Sequence, residues 1–99
     1  MKKINKLRAK NAAELAEILG LTPEDAIEWE IRSELTGKII DIVKKNRLTH
    51  VQVAKLAGTS RSRITAILNR NLHEVSTDLL LRILSRLGYR AKISFLKAA

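Results

Sequence analysis

The stretch Gly58–Arg70 reads GTSRSRITAILNR, and it sets cations where stability alone would not. Arg61 and Arg63 fall in the first turn of a segment whose Ile64 and Ile67 recur at helical spacing. A helix N-terminus already carries partial positive charge and unpaired N–H groups, so arginine there opposes the macrodipole. A polyanion facing that helix end removes the conflict. Arg61, Ser62, Thr65 and Ala66 project from the outer, N-terminal part of this helix. An arginine fork pairs bidentately with guanine, the two hydroxyls suit several bases, and Ala66 or the Thr65 methyl suits thymine. These four are the predicted base-reading residues. Arg63, Asn69 and Arg70 are better placed for phosphates, with His50 and Gln52 clamping the DNA backbone from the start of the preceding helix.

Such chemistry needs a rigid mount, and the spacing from His50 to Asn69 supplies one. With His50 as the first position, Ala54 is fifth, Gly58 ninth and Ile64 fifteenth. Two helices that cross steeply need a small residue where they touch, an unhindered backbone at the turn, and a branched apolar plug from the second helix. Ala54, Gly58 and Ile64 fill these roles, and Val53, Ala57 and Ile67 complete the wedge. The unit is a helix-turn-helix over residues 49–69, a motif that offers the start of its second helix to the major groove.

Other elements extend the unit in both directions. Asn11 with Glu14 forms a capping-box pattern, and Ala12, Leu15, Ala16 and Leu19 share one face of a helix stopped by Gly20. Thr22, Pro23, Glu24 and Asp25 make the next start, in accord with the dipole. From there Ile27, Ile31, Leu35, Ile39, Ile42 and Val43 form a stripe predicted to be buried, ending near Asn46. Thr49, Ser60 and Ser76 are the N-caps of three shorter helices, the last carrying Leu79, Leu80, Ile83, Leu84 and Leu87 and stopped by Gly88. The tail YRAKISF alternates with period two, which predicts a β-strand over residues 89–95. A lone strand needs another edge, from a second copy or from another protein.

Composition bounds the function. Ninety-nine residues suit a basic flexible arm at 1–10 and one domain over 11–99, and the absence of cysteine excludes disulfides and thiolate chemistry. No apolar run has membrane-spanning length, and the basic start leads into no secretory h-region, so a cytoplasmic protein is expected, with no membrane partner. The net charge of +9 is uneven. Residues 1–10 hold five bases and no acid, residues 11–34 seven acids against Arg32, and residues 35–99 thirteen bases against three acids. That balance points to nucleic acid and turns the acidic block away from it. His50 and His73 have no acidic partner at ligand spacing, so neither a metal nor a cofactor is expected. No nucleophile, base and orienter can be assembled, and the chain is read as a non-enzyme.

The run LTHVQVAKLAGTSRSRITAILNRNLHEVSTDLLLRILSRLGYRAKISF resembles the lambda-repressor-like (XRE) helix-turn-helix proteins, in the branch of HigA-type antitoxins and small transcriptional regulators. The lead-in LGLTPEDAIEWEIRSELTGKIIDIVKKN resembles the N-terminal extension of that branch. The resemblance implies dimeric, sequence-specific operator binding, autorepression, and in some members neutralisation of a RelE-like mRNA-cleaving toxin. Carried over by position, it again assigns Arg61, Ser62, Thr65 and Ala66 to bases and His50, Arg63 and Asn69 to the backbone. Many relatives have Gln where His50 and Arg61 stand here, a departure that bears on the operator sequence. The expected architecture is all-α: a lambda-repressor-like bundle of about five helices, with an N-terminal helical extension and a C-terminal strand. The expected partners are a palindromic double-stranded operator and a second copy of the chain joined through residues 89–95, with a RelE-like toxin as the alternative.

Overall fold

The computed structural model describes residues 18–20 and 22–97, and among these it is all-helical. Four helices are present: α1 (Pro23–Lys45), α2 (His50–Ala57), α3 (Arg61–Leu68) and α4 (Thr77–Arg86). The predicted arm at 1–10 and most of the helix predicted from Asn11 lie outside the described residues; Ile18 and Leu19 are helical. The chain falls into two compact units that divide between Glu34 and Leu35, within α1. The division coincides with the boundary between the acidic and the basic blocks of the sequence.

In the N-terminal unit, α1 begins as its sequence dictates. The Asp25 N–H donates to Thr22 Oγ1 at 3.1 Å, and the Thr22 N–H returns to Asp25 Oδ2 at 3.4 Å, around Pro23 at the first helical position. Ala26 is buried, but Ile27 and Ile31 are about half exposed, at 57% and 47%. The apolar stripe is therefore not buried from its start.

The C-terminal unit holds one hydrophobic core. Ile39, Ile42 and Val43 of α1 meet Val53, Ala54 and Ala57 of α2, Ile64 and Ile67 of α3, and Leu79, Leu80, Ile83 and Leu84 of α4, with Val75 closing the loop side. Leu35, Leu68 and Leu87 pack at its margin. Spacings of three and four along each helix put these side chains on one face, and burial of that face holds helices too short to persist alone. Gly37 of α1 serves another purpose: a side chain there would meet the Arg70 guanidinium at 3.3 Å. The missing Cβ lets Arg70 lie close over the helix.

All four helices end alike. At α2 the Gly58 N–H donates to Lys55 O and the Thr59 N–H to Ala54 O; at α4 Gly88 and Tyr89 donate to Ser85 O and Leu84 O. Arg47 with Leu48, and Arg70 with Asn71, repeat the pattern after α1 and α3. Each closure needs one residue in left-handed conformation, and φ is +68° at Gly58, +91° at Gly88, +53° at Arg47 and +60° at Arg70. At Gly58 a Cβ would meet no atom within 4 Å, so the demand for glycine is conformational, not steric crowding. Gly58→Ala is expected to cost about 1 kcal/mol through left-handed strain alone, read as a lowered midpoint in urea denaturation with an unchanged slope.

Two expectations about architecture are corrected. The described residues hold four helices, not about five. Residues 89–95 form no strand: they follow α4 without regular secondary structure and join no ladder among the described residues. Period-two alternation arranges side chains but supplies no backbone partner, and the described residues offer this segment no sheet edge. Among the described residues the segment is tied at its root, where Lys38 Nζ lies 5.1 Å from the centre of the Tyr89 ring. Beyond it Ile93, Phe95 and Leu96 are exposed.

Candidate nucleic-acid interface

The candidate interface is built from two helix starts. The Thr49 hydroxyl accepts from the Gln52 N–H at 3.1 Å, and Gln52 Oε1 accepts from the Thr49 N–H at 2.8 Å, a reciprocal cap that opens α2 at His50. The Ser60 hydroxyl accepts from the Arg63 N–H at 3.1 Å and opens α3 at Arg61. Between them, Gly58 turns the chain, and Ala54, Ile64 and Ile67 are buried beneath. Neither helix has an acid in its first turn.

On this mount Arg61, Ser62 and Arg63 are exposed, and Thr65 and Ala66 are half-buried one turn further on. Arg61, Ser62, Thr65 and Ala66 thus run along α3 from its tip to the middle. Arg63 is one side of an open cleft of about 470 Å³ that includes Ser60, Ser76 and Arg82. Its Nη1 donates to the Glu74 carbonyl at a long 3.5 Å. Asn69 is exposed at the end of α3, where its backbone N–H closes the last turn. Arg70 is directed to Gly37 of α1, away from the start of α3. Gln52 spends its Oε1 in the helix cap, so what it has for an anion is its NH₂ group.

Two features escaped the sequence. His50 Nδ1 lies 2.7 Å from Thr65 Oγ1, joining the first residue of α2 to the fifth of α3. The facing wedge residues Ala54 and Ile64 fix the approach of the two helices, but side-chain pairing across it carries no periodic signal. Arg82 joins Arg63 along the cleft because Ser60 and Ser76 bring two helix starts together. Its place on the polar face of α4, four residues after Asp78, was the available clue.

The family model for helix-turn-helix domains matches residues 19–95. The chain belongs to the helix-turn-helix domain family. No curated protein and no solved structure matches it. Membership of this family supports binding to DNA. Among the described residues no helix is long and apolar enough to cross a membrane, and no group of three or more His, Asp or Glu could hold a metal ion.

Proposed function

We propose that this helix-turn-helix protein is a sequence-specific transcriptional regulator that places α3 in the major groove as a homodimer and represses its own operator. The observation that carries this reading is the tip of α3, where Arg61 and Arg63 stand exposed over a buried wedge with no acid in the first turn. Arg61, Ser62, Thr65 and Ala66 read base edges; His50, Gln52, Arg63 and Asn69 hold phosphates. Arg70 adds charge at the far end of the helix. Two copies read half-sites of a palindrome about 34 Å apart, one turn of the duplex. The exposed Ile93, Phe95 and Leu96 support a second copy as partner, since apolar side chains in series gain from cover.

In-vitro selection of duplexes tests binding, symmetry and half-site spacing together. On a selected operator, Arg61→Ala is expected to cost about 1–3 kcal/mol and flatten preference at one base pair. Arg63→Ala weakens all sequences alike and reduces the salt slope by about one unit. An unchanged affinity ratio in Arg61→Ala would remove the base-reading assignment.

A second reading has its own support. The N-terminal unit exposes Ile27, Trp29 and Ile31 among Glu24, Glu28, Glu30 and Glu34, a surface suited to a basic protein. A RelE-like toxin neutralised by direct contact is such a partner, and co-purification with a neighbouring basic toxin tests it.

A further inference from the structure

The contact between His50 Nδ1 and Thr65 Oγ1 links a side chain assigned to phosphates with one assigned to bases. Both are half-buried, at the seam where α2 and α3 pack. A neutral imidazole has one N–H and one bare nitrogen, and the partner of one nitrogen fixes the state of the other. A hydroxyl has one proton and two lone pairs, so donating that proton leaves only acceptors for a third group.

Resting on the DNA-binding reading above, we propose that His50 is a positioning residue that decides which base edges Thr65 can read. With Nε2–H donated to a phosphate, the bare Nδ1 accepts the Thr65 O–H, and Thr65 presents lone pairs to the groove. It then selects amino groups, adenine N6 or cytosine N4. When the ring takes a second proton, Nδ1–H donates to Thr65 Oγ1 instead, and the hydroxyl proton turns outward. Thr65 then donates to guanine O6 or N7, to thymine O4 or to adenine N7, and cytosine alone offers it no acceptor. Phosphate contact and base choice are in this way one hydrogen-bonded chain.

The charged groups on the elements around α2 are Arg61 and Arg63 on α3, Asp78, Arg82 and Arg86 on α4, and Asp41, Lys44 and Lys45 late in α1. Lys55 lies on α2 itself and Arg47 in the turn before it. His73, paired with Glu74, borders Ser62, Arg63 and Ala66 of α3, so it is the loss of the pH response in a His50 variant, not the response alone, that assigns it to the His50 ring.

The full chain is titrated with duplexes from one selected operator that differ only at the base pair where Thr65→Val abolishes preference. At about pH 8, adenine or cytosine on the facing strand is favoured about fivefold, the worth of one net hydrogen bond. At about pH 5.5 that preference is lost or reversed toward guanine or thymine. His50→Asn, which keeps a hydrogen-bonding group but does not titrate, loses the pH dependence, and His50→Leu loses the preference at both values. The same base ranking at both pH values in the unaltered chain overturns the inference. So does a His50→Asn or His50→Leu protein that weakens all four duplexes equally, because His50 is then a phosphate contact and nothing more. A Thr65→Val protein with an unaltered profile at every position overturns it too, while leaving DNA binding intact. Absence of any sequence preference in the unaltered chain removes both this inference and the function on which it rests.

Discussion

Ser60→Asp is expected to leave the protein folded and to lower its affinity for duplex DNA about ten- to a hundredfold. The Ser60 oxygen accepts the Arg63 N–H at 3.1 Å with the backbone extended, at φ −83° and ψ 153°. Aspartate caps helices as well as serine does, and its charge favours a helix N-terminus. Stability therefore holds or rises by a few tenths of a kcal/mol. The same carboxylate, set beside Arg61 at the tip of α3, meets the phosphates with like charge. All three N-caps of the basic unit are neutral hydroxyls, Thr49, Ser60 and Ser76, whereas α1 in the acidic unit carries Glu24 and Asp25 in its first turn. Thermal melting beside a DNA titration separates the two effects. A stable Ser60→Asp protein that binds as well as the original would show that no polyanion approaches this helix end.

Ile64→Ala carries the largest expected loss of stability, about 2–5 kcal/mol. Ile64 is 1% exposed and sits in the wedge between α2 and α3, where neighbours from α1 and α4 leave no room for collapse around a lost side chain. Domains of this size are held by about 5–15 kcal/mol in total, so the variant loses a large share of its reserve. Urea denaturation followed by circular dichroism reads the shift. Leu81 provides the contrast: 38% exposed on the outer side of α4, its truncation to alanine costs far less. Equal losses at the two positions would mean that the wedge does not organise the unit.

The fold was legible where one residue type answers one local demand. Hydroxyls at 49, 60 and 76, glycines at 58 and 88, and leucines spaced three and four apart name helix starts, helix ends and the buried face without reference to anything distant. Ala54, Gly58 and Ile64 could be assigned roles because a close helix crossing constrains size at each contact. Pattern alone failed where a partner must be supplied from elsewhere. Residues 89–95 alternate like a strand but find no ladder among the described residues. Ile27 and Ile31 continue the spacing of Ile39 and Ile42, yet remain about half exposed. Periodicity records which side of a helix is apolar, not what lies against it. Of the candidate interface, the exposed cationic start of α3, Arg61 to Arg63, could be read from charge set against the dipole. The His50–Thr65 bond and the turn of Arg70 toward Gly37 could not, since both depend on side-chain directions across two elements.

The helix ends at Arg47 and Arg70 have a consequence for how the sequence tolerates change. Both positions select substitutes by backbone shape before side-chain chemistry: glycine and asparagine enter freely, and valine, isoleucine and threonine are refused. Glycine there would relax the main chain and erase a cation in the same step. Conformational ease and electrostatic attraction are therefore in direct opposition at two of the four helix exits, and each arginine that stays keeps its charge by holding a strained backbone.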